Sequence, residues 1–168
     1  MAAWTLNASQ KKDYANFLFQ NEKNKNTFIL FSIATIAIVI FGIFILVIDE
    51  GKLFMFLVLV SLLVFLSLFA FGAPLYYRYK NLKNDGEILI GAKFAYINGY
   101  FHNWDYVLSG LKKAIIIENP FYGIKLVYYY TDRTFTHSEA LFIPANKEVD
   151  LENLIISLKK ENKKRKSK

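Results

Sequence analysis

The stretch TFILFSIATIAIVIFGIFILVI at residues 27–48 decides the architecture, together with LFMFLVLVSLLVFLSLFAFGAPLYY at residues 53–77. Neither run holds a charged residue, and their lengths are 22 and 25 residues. As helices rising about 1.5 Å per residue, both exceed the roughly 30 Å of a bilayer's hydrocarbon core. Each run contains 16 residues of the Phe, Ile, Leu and Val set. On insertion scales these contribute roughly −0.3 to −0.6 kcal/mol apiece, which outweighs the few Ser, Thr and Gly present. Two buried helices of a soluble core are the competing reading, but a chain of 168 residues cannot cover both. Only Asp49, Glu50, Gly51 and Lys52 separate the runs, too few to recross a bilayer. The expectation is a two-helix transmembrane hairpin with antiparallel neighbours.

Charge orients the hairpin. Lys11, Lys12, Lys23 and Lys25 precede it, Arg78, Lys80 and Lys83 follow it, and loop 49–52 is net negative. The positive-inside rule then places both termini in the cytoplasm and the loop outside. Tyr76, Tyr77 and Tyr79 stand where an aromatic belt would mark the inner interface. The first 26 residues are too polar and charged for a cleavable signal peptide. Asn7-Ala8-Ser9 matches the glycosylation pattern, which has no meaning in the cytoplasm. Neither run carries the ionisable residue that pumps and proton relays need at depth. Thr35 with Gly42, and Ser67 with Ala70 and Pro74, form stripes of small residues through which the helices could approach closely. Ordinary variation within an apolar run explains them equally well.

From Asp85 onward the pattern changes to that of a small folded domain over residues 84–160. Residues 86–97 are rich in β-branched and aromatic side chains and end at Asn98-Gly99, the strongest short hairpin signal. Strands are expected at 100–107, 111–118, 123–130 and 134–143, broken by Ser109-Gly110, Asn119-Pro120 and Thr131-Asp132-Arg133. In the third of these, Ile124, Leu126, Tyr128 and Tyr130 share one face, opposite Lys125, Val127 and Tyr129. Leu151, Leu154, Ile155 and Leu158 then recur at helical spacing, with Asn146 or Asp150 as the cap. The expected fold is α+β: a membrane hairpin plus a small antiparallel sheet or barrel closed by a C-terminal amphipathic helix. In the arm 1–26, Trp4, Thr5 and Leu6 read as extended, and Ser9 could cap a short helix carrying Tyr14, Phe17 and Leu18. Its mixed polar face favours packing on the strands over lying on the membrane.

The net charge of +7 is concentrated at one end. Residues 1–158 carry 14 basic and 13 acidic side chains. Lys159, Lys160, Lys163, Lys164, Arg165, Lys166 and Lys168 follow, against Glu161 alone. Held near the inner leaflet, such a tail (residues 161–168 with the preceding lysines) suits anionic lipid, at about 1 kcal/mol per cation. Nucleic acid is a weaker rival and a solvated end without a partner is the third reading. The absence of cysteine excludes disulfides, thiolate metal sites and cysteine nucleophiles, and fits a reducing compartment.

Several residues are ordered as in the YcxB-like family of bacterial membrane proteins. They are Trp4-Thr5-Leu6, Asp13-Tyr14 and Phe17 before the hairpin, Trp104-Asp105-Tyr106, the apolar strand 114–118, and Leu141-Phe142-Ile143-Pro144 before a helix with Leu151, Leu154 and Leu158. The layout resembles that family over nearly the whole chain. Lys147 lies three residues past the Pro, where the family often has a basic residue sooner. The resemblance implies two transmembrane helices, a domain similar to the bacterial pleckstrin-homology type, and a bacterial cytoplasmic (inner) membrane location. It implies no reaction.

Candidate chemistry is sparse. His102 and His137 would need to lie close together in space with a carboxylate orienter to form a catalytic pair. Two histidines without cysteine fall short of a metal site, and no glycine-rich phosphate loop is present. Asp105, Glu118, Asp132 and Glu139 read as solvated carboxylates. No catalytic residue, metal or cofactor is therefore assigned. Trp104 reads as core or as a partner contact, and Tyr129 as an exposed partner contact or a seat for the arm. The expectation is a non-enzymatic membrane-anchored binding or scaffolding module. Its partners would be the bilayer, anionic lipid, other membrane proteins or a second copy. The alternative is an accessory subunit of a larger transporter or envelope complex.

Overall fold

The computed structural model describes residues 1–166, with side chains as far as Asn162. They form an α+β chain in the order β1 (Ala2–Thr5), α1 (Ala8–Val47), α2 (Lys52–Lys83), β2 (Glu87–Ile90), β3 (Phe94–Ile97), β4 (Tyr100–Asn103), β5 (Ser109–Ile117), β6 (Gly123–Thr131), β7 (Thr136–Pro144) and α3 (Leu151–Lys166). The chain divides into two compact units. One is Asn16–Lys80; the other combines Met1–Ala15 with the chain from Asn81 onward.

The first unit is a helical hairpin. α1 has 40 residues and α2 has 32, and both are long and apolar enough to cross a membrane. The expected break between an arm helix and the first apolar run does not exist. Residues 8–26 contain no Gly or Pro to stop a helix, so α1 runs unbroken from Ala8. Its cap is Asn7 rather than Ser9. The Gln10 backbone N–H donates to Asn7 Oδ1 at 2.9 Å, and the Asn7 N–H donates to Gln10 Oε1 at 3.1 Å, a reciprocal capping box. Gly51, at φ 83°, makes the reversal, and Lys52 already belongs to α2.

Ala37 of α1 and Leu59 and Pro74 of α2 are buried. Ser67 and Ala70 lie half-buried on the same side of α2, as their spacing suggested. Thr35 does not. It is exposed, and its hydroxyl donates to the Phe31 carbonyl of its own helix at 2.9 Å. Gly42 has open space where a Cβ would stand. The Asn26 amide donates to the Ala70 carbonyl at 3.2 Å, and Arg78 Nε to Asn16 Oδ1 at 2.8 Å, with the guanidinium 5.8 Å from the Phe19 ring. Most other Phe, Ile, Leu and Val side chains of both helices are exposed. Hydrocarbon is the solvent such a surface fits, since soluble monomers rarely expose apolar patches above a few hundred Å².

The second unit holds two antiparallel sheets, β1-β2-β3-β4 and β5-β6-β7. The arm packs on the strands: β1 pairs with β2 from Ala2↔Ile90 to Thr5↔Glu87. Trp4 Nε1 donates to the Pro144 carbonyl at 2.9 Å, and Lys11 Nζ to the Asn84 carbonyl at 2.8 Å. Leu6, Tyr14 and Ala15 are buried. A domain confined to residues 84–160 therefore lacks its first strand.

Residues 86–97 form two strands, β2 and β3. The chain turns at Gly91-Ala92-Lys93, where the Gly91 N–H donates to the Phe94 carbonyl at 2.9 Å. Asn98 (φ 47°) and Gly99 (φ 89°) supply the left-handed pair of the β3–β4 hairpin, as the dipeptide implied. β4 ends at Asn103, four residues short of expectation, because the Asn103 side chain accepts the Asp105 N–H at 2.9 Å and folds the chain into a turn. β7 likewise starts at Thr136, after Asp132 Oδ1 accepts the N–H groups of Thr134 and Phe135 at 2.8 Å each. Ile88, Ile90, Ile97, Trp104, Ile124, Leu126 and Ile143 fill the core. The stripe of Leu151, Leu154, Ile155 and Leu158 is buried too, with Asp150 capping α3 through the Asn153 N–H at 3.0 Å. α3 runs on to Lys166, so the basic segment expected as a tail is mostly helical backbone.

Candidate functional site

The strand unit carries an open cleft of about 350 Å³ at one end of β6. Its wall follows from strand alternation. Ile124 and Leu126 are core, and the next two residues on that face of β6, Tyr128 and Tyr130, reach the cleft. The register sets Tyr128 opposite Glu139 and Tyr130 opposite His137 on β7. The Tyr128 hydroxyl donates to Glu139 Oε2 in a short bond. His137 stacks on Tyr130 with ring centroids 5.2 Å apart. Trp104 lies 5.7 Å from Tyr128, and Tyr128 6.3 Å from Tyr130. Four rings thus form a row with a carboxylate beside it. Asn103, Tyr106, Leu108, Ser109 and Thr131 complete the lining.

Burial, and then the bond to Glu139, push the Tyr128 phenol well above its ordinary range. His102 on β4 is held below its usual 6.5 by burial, partly offset by the charge of Glu139. Asp132 is held at about 2, chiefly by the N–H groups of Phe135 and Thr134 and then by His137, whose Nε2 lies 2.8 Å from Oδ2. The two histidines therefore face different carboxylates. Among the described residues neither histidine bonds the other. No group of three or more metal-ligating His, Cys, Asp or Glu exists among the described residues. Aromatic faces, a carboxylate, an amide and hydroxyls suit reversible binding of a polar or cationic group.

Trp104 is core: it is buried, and Nε1 donates to the Ala92 carbonyl at 3.0 Å. It shapes the cleft through Tyr128. Tyr129 points to the other face of β6, across Gly110 of β5, where a Cβ would stand 3.1 Å from the phenol. Asp105 pairs with Lys93 at 2.9 Å. Lys159 and Lys160 are exposed on α3. Lys163, Lys164, Arg165 and Lys166 extend the helix, their side chains and all of Lys168 lying outside the described residues.

Two groupings escaped the sequence. The Tyr128–Glu139 and Tyr130–His137 pairs depend on the register across the 132–135 turn, which alternation alone does not fix. Lys112 and Lys113 are exposed at consecutive positions because the register shifts between Leu111 and Lys113. Two adjacent lysines in an otherwise apolar strand were the available signal. No family model, curated protein or solved structure matches this chain.

Proposed function

We propose that the chain is a non-enzymatic, membrane-anchored binding module. It would sit in a bacterial cytoplasmic membrane, with both termini and a pleckstrin-homology-like unit of the YcxB-like type at the inner leaflet. One observation carries the proposal: both open ends of a hairpin of bilayer-length helices are rooted in the same sheet. β1 ends three residues before α1 begins, and β2 begins four residues after α2 ends. Those two strands pair with each other, so the open ends must emerge on one side. The lysines and arginine flanking the helices favour the cytoplasm for that side. The seven strands in sheets of four and three, closed by a C-terminal helix, support the finer fold reading. The cleft beside Glu139 supports the binding role.

The chain has no cysteine, so single cysteines report cleanly. Glu50→Cys should react with an impermeant maleimide on intact spheroplasts, and Glu148→Cys only after permeabilisation. The opposite pattern overturns the orientation. A photo-crosslinking residue at Tyr106, at the cleft, should capture a partner in cells, and Tyr130→Ala should abolish that product. Crosslinks obtained only from exposed helix positions such as Val39 would instead favour an accessory subunit of a membrane complex. No crosslink from either position would also remove the basis for a binding module.

A further inference from the structure

β7 is an edge strand of sheet β5-β6-β7, and its two halves differ. Leu141 to Pro144 are buried or half-buried, whereas all five residues from Thr136 to Ala140 are exposed, on both faces of the sheet. The Pro144 end is also closed along its edge. Proline has no N–H to offer there, and the Pro144 carbonyl already accepts Trp4 Nε1.

The pairing with β6 fixes what the open half presents. The Asp132 N–H donates to the Phe135 carbonyl at 3.1 Å and the Ala145 N–H to the Tyr122 carbonyl at 3.0 Å, at the two ends of an unbroken register. Antiparallel pairing alternates, so His137, Glu139, Leu141 and Ile143 exchange their backbone bonds with β6. The N–H and C=O groups of Thr136, Ser138 and Ala140 therefore point away from the sheet, and among the described residues none of them has a backbone partner. Proteins blunt such an edge with lysine, proline or a bulge, and none occurs between Thr136 and Ala140. The one carboxylate of this stretch, Glu139, stands on the cleft face. Among the described residues it accepts only from the Tyr128 phenol and has no ion-pair partner. A strand laid along this edge bonds Thr136, Ser138 and Ala140. Its residue opposite Glu139 then points into the cleft beside the Tyr130 ring, where a cation fits best.

We propose that the exposed half of β7 receives an extended segment of a partner protein as a further strand, with a lysine or arginine of that segment set against Glu139 in the cleft. Backbone bonds to Thr136, Ser138 and Ala140 supply affinity whatever the sequence, and Glu139 with the faces of Tyr130 and His137 supplies the selection. The proposal rests on the binding-module reading, since the segment occupies the same cleft.

The test uses the full chain in nanodiscs and a fluorescein-labelled probe, a short peptide of alternating threonine and valine with one central lysine. The anisotropy of the probe should rise saturably. Ser138→Pro removes an outward N–H and no bond to β6, so the protein stays folded, which circular dichroism verifies. It should weaken the probe about tenfold, as should Glu139→Gln or glutamate in place of the probe's lysine. Methylating the backbone N–H groups of the probe makes the same test without altering the protein. A probe that fails to bind, or whose affinity ignores both Ser138→Pro and methylation, overturns the proposal. So does acetyl-lysine amide binding as tightly as the peptide, which marks a small amine as the occupant of the cleft. Protein that dimerises until Ser138→Pro releases it, and that ignores the probe, marks a second copy on the edge and overturns the proposal too. In cells, a Tyr106 crosslink that survives Ser138→Pro defeats strand addition and leaves the binding module standing. Absence of every crosslink from the otherwise unaltered protein defeats the binding module itself.

Discussion

Pro74 interrupts α2 and leaves the Ala70 carbonyl, four residues back, without its helical donor. The Asn26 amide of α1 donates to that carbonyl at 3.2 Å. Asn26 thus replaces the bond that proline removes, which is how a neighbouring helix makes proline tolerable in an apolar span. Asn26→Leu should strand the carbonyl. Interhelical bonds in membranes average about 0.6 kcal/mol and reach about 1.7, and a stranded buried acceptor costs about 1–3 kcal/mol. A loss of roughly 1–2 kcal/mol follows for this site, half-buried between the helices. Pro74→Ala restores an N–H to Ala70, so in that background Asn26→Leu should cost a few tenths at most, a coupling of about 1 kcal/mol. Helix separation can be followed in mixed micelles as detergent is titrated, by energy transfer between dyes on Ser32→Cys and Val64→Cys, both exposed positions. Equal costs of Asn26→Leu with and without Pro74 would refute the exchange of donors. A cost near zero in both would mean that water already serves the carbonyl.

Asn98 is buried at φ 47°, accepts the Gly86 N–H at 3.1 Å, and donates to the carbonyl and side-chain oxygens of Asn81 at 2.9 and 3.0 Å. Asn98→Ala should cost the strand unit about 3 kcal/mol in denaturant unfolding, and Asn98→Gly should recover only the backbone part. Gly123→Ala drives a Cβ into the Ile143 carbonyl and should cost about 1–3 kcal/mol. Gly42→Ala, with nothing within 4 Å, is the neutral comparison, and equal effects would undo the reasoning. His102 titrates below 6.5 when folded, so the unfolded chain binds more protons as pH falls past 6.5. Stability present above that pH is then lost on mild acidification. His102→Gln should flatten the dependence of the denaturation midpoint in that window, and an unchanged slope would assign it elsewhere. A fragment beginning at Asn84 lacks β1, Leu6, Tyr14 and Asn81; it should give poorly dispersed NMR spectra, while residues 1–15 fused to Asn81 by a flexible linker should fold.

The long-range architecture was legible because its signals are local and strong. Uncharged runs of 22 and 25 residues, Asn98-Gly99 and the Leu151 stripe each act over a few turns of chain. Boundaries set by single side chains were not. Asn103 and Asp132 end strands through their own oxygens, and nothing in hydrophobic pattern announces which Asn or Asp will do so. Gly91-Ala92-Lys93 turns without the usual Asn, Asp or Pro. The cleft was the least legible feature. Tyr128, Tyr130, His137 and Glu139 are visible as residues, but a one-residue change of register would separate every pair.

The arm joins these levels. Thr5 pairs with Glu87 across about 80 intervening residues, and closing so long a flexible loop costs about 4 kcal/mol of chain entropy by (3/2)RT ln n. Four residues of edge strand cannot offset that alone. Once α1 and α2 stand antiparallel, however, the loop is already closed. Only Leu6-Asn7 and Asn84-Asp85-Gly86 remain to be ordered, and the Leu6 N–H donates to the Gly86 carbonyl at 2.9 Å within that gap. The hairpin therefore has a part in folding the strand unit. It brings β1 to β2, and the strand unit that carries the cleft is completed by a strand that helix pairing makes affordable.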